Sequence, residues 1–130
     1  MAFWGKKKMF DAVNKYFNER NVSVTNEYDL LCIELNFKDN GYNIYPYIKL
    51  DEENEQISIM VNIREALELK ASEYEALNTF NLGSKYFTAK YKDNAIVLEY
   101  NSICNYDNVV KLLHSALESL FSKQNEIDNL

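Results

Sequence analysis

With 130 residues, 47% of them apolar, ten tyrosines and seven phenylalanines against three glycines and one proline, the chain is suited to bury one core, and that composition excludes a disordered or fibrous polymer. Fourteen Lys and Arg against twenty Asp and Glu give a net charge of −6, and Arg20 and Arg64 are the only arginines, which argues against binding a phosphate backbone. No apolar run reaches membrane-spanning length and no segment has the charged start, apolar middle and small-residue cleavage site of an export signal, so the expectation is one cytoplasmic domain over 1–130.

At the start, Phe3 and Trp4 precede Lys6, Lys7 and Lys8. A lipid or partner contact is one reading, but a single short basic cluster attracts membranes only marginally, and a lysine-solubilised terminus is the expectation. Over 6–20, Met9, Phe10, Val13, Tyr16 and Phe17 recur at one-face helical spacing, which predicts an amphipathic helix ending near Asn21. Val22 and Val24 then begin an extended entry to a sheet.

Three strands follow. Residues 29–37 put Leu31, Ile33, Leu35 and Phe37 on one face and Glu34 and Asn36 on the other, and Asp39-Asn40-Gly41 supplies a turn. The second strand, 42–50, turns Ile44, Ile48, Tyr42 and Leu50 inward. Its Pro46 cannot donate to a ladder, so this strand is either at an edge or bulged. The third, 56–63, carries Ile57, Ile59, Val61 and Ile63 in step, completing a three-stranded antiparallel meander. The Asp51-Glu52-Glu53-Asn54-Glu55 connection is acidic, but it lacks the ligand positions and central glycine of a calcium loop and reads as a solvated hairpin tip.

Residues 64–71 mix strand-like alternation with helical propensity and are left as a connection. A helix then begins at Ser72, with Glu75 closing a capping box, and Tyr74, Leu77 and Phe80 lead to Gly83, which can supply a left-handed stop. The stretch 76–101 organises the chain: a helix end, then a hairpin in which Phe87, Ala89 and Tyr91 alternate along 85–92, Asp93-Asn94 turns, and Ile96, Leu98 and Tyr100 alternate along 95–101. A last helix over 106–124, capped by Asn105, carries Val109, Val110, Leu113, Ala116, Leu117, Leu120 and Phe121 on one stripe, and 125–130 reads as a frayed polar tail.

The order α-β-β-β-α-β-β-α defines an α+β fold with an antiparallel sheet. On Ala76-Leu77-Asn78-Thr79-Phe80-Asn81-Leu82-Gly83, the hairpin over 85–101 and the long apolar helix after it, the chain resembles the YbjN domain family, whose members share the fold of bacterial type III secretion chaperones. Asn78 and Asn81 match the family's Leu-Asn…Asn helix end. The Pro46 strand and residues 64–71 depart from the family's usual form. The resemblance implies a type III secretion chaperone-like architecture and a homodimer that binds another polypeptide or acts as an adaptor. It carries over no catalytic residue.

Chemistry is otherwise sparse. His114 lies one turn before Glu118, but no partner nucleophile or second metal ligand has a recognisable spacing to it, so it reads as structural or solvated. Cys32 and Cys104, far apart in a chain without an export signal, read as reduced thiols. No serine elbow and no glycine-rich phosphate loop is present, so the expectation is a non-enzyme with no cofactor, no metal, no nucleic-acid partner and no stable membrane insertion. The Asn, Lys, Ile and Tyr usage fits AT-rich coding, as in a low-GC bacterium or its phage.

Outward sheet positions are more informative. Tyr45, Tyr47, Met60 and Tyr86 face away from the predicted helix side, and with Tyr74 they form the candidate protein-binding set. Either this face is an open interface or the first helix or a dimer mate covers it. Two function classes result. One is a homodimeric, chaperone-like or adaptor module that holds a protein partner. The other is a small acidic phage or defence-related inhibitor that presents Asp51, Glu52, Glu53, Glu55, Glu65, Glu68, Glu73 and Glu75 to a basic nucleic-acid-binding site.

Overall fold

The structure, a computed structural model, describes residues 7–27, 30–37 and 41–130. In chain order it runs α1 (Met9–Glu19), β1 (Val24–Glu27), β2 (Leu30–Ile33), β3 (Leu35–Phe37), β4 (Tyr42–Ile44), β5 (Tyr47–Asp51), β6 (Gln56–Glu65), α2 (Ala71–Gly83), β7 (Thr88–Lys92), β8 (Ala95–Ile103), α3 (Val109–Ser122) and α4 (Gln124–Asp128). This is an α+β fold. Phe3, Trp4 and Lys6, and Asp39 and Asn40 of the predicted turn, lie outside the described residues.

Six strands form one antiparallel sheet in the order β1-β2-β5-β6-β8-β7, with β3 and β4 paired beside it. The predicted alternations hold: Leu31, Ile48, Ile59 and Tyr100 are successive cross-strand partners on one face. That face meets all four helices. Met9, Val13 and Phe17 of α1, Leu77 and Phe80 of α2, Leu113 and Leu120 of α3 and Ile127 of α4 share a core with Leu31, Ile48, Ile59 and Leu98. Each such side chain contributes about 1.5–3 kcal/mol by leaving water, so this layer holds the fold together.

The helix ends follow local chemistry. Asn21 adopts φ 57, Val22 N–H donates to Phe17 O at 3.0 Å, and Asn21 N–H donates to Asn18 O at 3.2 Å, which is a Schellman stop for α1. The α1 N-terminus is capped from outside: the N–H groups of Met9 and Phe10 donate to the two Glu52 carboxylate oxygens at 2.8 and 2.9 Å. One carboxylate thereby satisfies two of the four donors a helix start leaves free.

Several expectations are corrected. The meander has a strand before it, β1, whose Val24-Thr25-Asn26-Glu27 holds one apolar residue and so gives no alternation signal. Pro46 carries no bulge, and it sits where an inner strand becomes an edge: β5 after it lies between β2 and β6, whereas β4 before it pairs with β3 alone. Register is unchanged across it, from Cys32↔Tyr47 to Leu35↔Ile44, and Ile33 N–H still donates to Pro46 O at 3.2 Å. Proline cannot return that bond, and there the long hairpin divides into β2–β5 and β3–β4. The bulge lies on β6 instead, at Ile63, where pairing shifts from Asn62↔Val97 to Arg64↔Ile96.

The helix α2 begins earlier than expected. Lys70 N–H donates to Glu73 at 2.8 Å and Glu73 N–H returns to Lys70 O at 3.0 Å, so the cap is centred on Lys70 and Glu73 rather than on Ser72 and Glu75. Gly83 is the last helical residue and does not take positive φ; the chain leaves through an extended Ser84. At α3, Asn105 organises a turn ahead of the helix, accepting from the N–H groups of Asp107 and Asn108 at 3.0 and 3.2 Å, and the helix starts at Val109. The predicted frayed tail is packed: it contains α4, Ile127 and Leu130 are buried, and Leu130 O accepts from Arg64 Nε at 2.7 Å. Two apolar residues in six suffice because they land on a core already built.

Candidate functional site

Because every helix lies on one face, the other face of the sheet is uncovered among the described residues. In the predicted alternative α1 would have covered this face, but α1 packs beside α3 and sinks its apolar residues into the helix-side core. Across the open face runs one row of cross-strand partners, Thr25, Cys32, Tyr47, Met60, Glu99 and Thr88. Tyr47 and Met60 are directly opposed and half-buried, at the middle of a six-stranded sheet. Beside the row, Val97 partners Asn62 and Lys90 and is buried, although it does not join the helix-side core. Lys90 and Lys92 reach Glu99 at 2.9 and 3.4 Å, and these hydrogen bonds, Lys90 first, hold the Glu99 carboxyl below its ordinary value.

The structure brings only part of the predicted set together. Tyr47 and Met60 pair as expected, and Tyr45, 49% exposed, lies two residues away at the hairpin break. Tyr86 does not join them. Its ring packs edge-on against Tyr100 at 5.7 Å, and Tyr100 is the partner of the core residue Ile59, so Tyr86 belongs to the helix side. Tyr74, 48% exposed on α2, lies with its ring 6.4 Å from Tyr91, also on the helix side. Sequence reading missed Cys32 and Val97 as members of the open face. Cys32 has the opposite parity to Leu31 and Ile33 and could have been found; Val97 is hidden in the unbroken apolar run Ile96-Val97-Leu98.

Other candidate groups have structural partners. His114 Nδ1 lies 2.8 Å from the Tyr16 hydroxyl rather than engaging Glu118, and the Arg20 guanidinium sits 3.8 Å over the Tyr16 ring. Burial raises the Tyr16 phenol, Arg20 opposes this and Glu118 adds to it, so Tyr16 stays a neutral link between α1 and α3. Cys104 is buried with its sulfur 3.3 Å from that of Met9, and burial, with Glu52 and Glu55 nearby, pushes its thiol up to about 11. The Cys32 thiol is also raised, first by burial and then by Glu27, with a hydrogen bond to Tyr47 opposing.

The acidic residues are partly committed. Asp51 accepts from the backbone and side chain of Asn54 at 3.0 and 2.9 Å, Glu52 caps α1, and Glu73 bonds Lys70 and Arg64. Asn81 is committed as well: its side chain donates to Ala89 O at 3.0 Å and accepts from Ala89 N–H at 2.6 Å, closing the outer edge of β7. Among the described residues no group of three His, Cys, Asp or Glu side chains is placed to hold a metal ion, and no helix is long and apolar enough to cross a membrane.

No family model matches the chain, and no curated protein sequence matches it. A solved structure does. The crystal structure of YbjN from E. coli, described as a proposed transcription regulator, is similar over 89% of this chain and 91% of its own, with a TM-score of 0.60 at 13% identity. Identity that low speaks to architecture alone, and the matched span takes in nearly all the elements above. The chain carries the YbjN-like fold.

Proposed function

We propose that the chain is a non-enzymatic protein-binding module, a chaperone-like or adaptor domain that works as a homodimer, with the open sheet face as its docking surface. The observation that carries this reading is the Tyr47–Met60 pair: a half-exposed aromatic and a pliable thioether side by side at the centre of a sheet that, among the described residues, has helices on only one side. Aromatic and methionine side chains are what interface cores concentrate, and methionine adapts to varied partners. The regulatory description of the structural neighbour is consistent with a module that acts by binding.

Solution mass by light scattering after size exclusion, at low and high salt, tests the homodimer; a salt-resistant dimer is expected, and a monomer at both salts overturns that part. Tyr47→Asp combined with Met60→Asp tests the face. Both side chains lie on the face away from the helix-side core, so the fold should persist by circular dichroism while recovery of bound partner from native cells falls by about tenfold or more, the loss expected of interface-centre residues. Full partner recovery by the double variant would exclude this face.

A further inference from the structure

The two edges of the sheet are treated differently. At β7 the outward backbone groups of Ala89 are taken by Asn81, and Lys90 and Lys92 stand on the same strand, a protected edge. At β1 the outward groups can be identified from the ladder. Ile33 N–H is committed to Pro46 on the β5 side, so the alternate residues Cys32 and Leu30 face β1, where their partners are Thr25 and Glu27. Val24 and Asn26 therefore point their N–H and C=O outward, and among the described residues no hydrogen bond reaches those groups.

A cavity of about 530 Å³ adjoins this open edge, between β1 and the start of α1. Asn26 lines it with Phe10, Leu31 and Leu50, alongside the charged Lys8, Lys49, Asp51, Glu52 and Glu53. Asn26 is the cross-strand partner of the core residue Leu31, so the cavity opens on the helix side of β1. An added strand would pair with the outward groups of Val24 and Asn26, and its residue opposite Asn26 would project on the same side, toward the cavity. The volume lies within the range of ordinary ligand sites, roughly 300–1,000 Å³.

We infer that β1 is a second binding edge, which takes an extended polypeptide segment of a partner as an added strand, with a large apolar side chain opposite Asn26 seated in the cavity over Phe10, Leu31 and Leu50. The backbone bonds supply affinity for any extended chain, and the cavity supplies the choice of side chain. This site is separate from the Tyr47–Met60 face and goes beyond the function proposed for it.

The test uses the full chain and a seven-residue peptide alternating threonine and phenylalanine between terminal lysines. In amide NMR the peptide should shift residues 24–27 and slow exchange of the Asn26 N–H. Asn26→Pro removes one outward donor and no bond to β2, so it should leave the circular dichroism unchanged and weaken binding by about tenfold; exchanging the peptide's phenylalanines for serine should weaken it similarly. Tyr47→Asp should leave this binding unaltered, so this site and the open face can fail separately. No binding at millimolar peptide, shifts centred on Tyr47 and Met60, or equal binding by Asn26→Pro would each overturn the assignment. Protection of Asn26 on concentrating the protein without peptide would also overturn it, by naming a second copy as the occupant.

Discussion

Single residues here are set mostly by what surrounds them. Burial raises both thiols, and Cys104, at about 11 and fully enclosed, has almost no thiolate at neutral pH. A thiol reagent at pH 7.5 should therefore modify Cys32 first and slowly, and Cys104 only on unfolding; mass spectrometry of a timed reaction reads this, and prior modification of Cys104 would contradict its burial. Glu52 is the clearest residue whose role the sequence concealed. It sits in an acidic hairpin tip that reads as solvated surface, yet it receives two N–H groups of α1 from more than forty positions away. Nothing in local spacing signals a cap supplied by another element. Glu52→Ala should cost about 1–2 kcal/mol in urea unfolding, as loss of a helix cap does, whereas Glu53→Ala, exposed at the same tip, should cost little.

The helix and strand ends show which local rules decided. Asn21 takes the left-handed position that stops α1, whereas Gly83, the residue the sequence favours for that task, is simply helical. A methyl at Gly83 would meet only the flexible Lys123 ammonium at 3.4 Å. Gly83→Ala should thus be neutral or stabilise by up to about 1 kcal/mol, while Asn21→Val, a β-branched residue forced to positive φ, should destabilise by about 1–2 kcal/mol. Thermal unfolding of both variants checks the pair, and a reversed order would reassign the stops. Strand alternation in 31–37, 57–63, 87–91 and 96–100 was legible because one face of each strand is buried against helices. Strand β1 was not, since an edge with one face open has little need of apolar residues. The open-face pair Tyr47 and Met60 was legible as the complement of the buried parity, but Tyr86 precedes regular β7, where parity no longer fixes direction.

At the scale of the molecule, one sheet layer and one helix layer share a core, and the sheet is built almost entirely from hairpins, β2–β5 continuing the β3–β4 ladder. The exception is the placement of β8 between β6 and β7. The register Gln56↔Ile103 to Glu65↔Ala95 joins segments separated by α2 and β7, whereas β1–β2, β3–β4, β5–β6 and β7–β8 are hairpins. Closing that one long loop costs entropy before any contact repays it, which makes docking of the β7–β8 hairpin onto β6 the expected slow step of folding. Leu98→Ala, which weakens the β6–β8 contact, should slow refolding in stopped-flow measurements, whereas Val24→Ala on β1 should mainly speed unfolding. Until β8 arrives, β6 presents a second unpaired edge, so the interval before docking is when newly made chains are most open to aggregation or to capture by another strand.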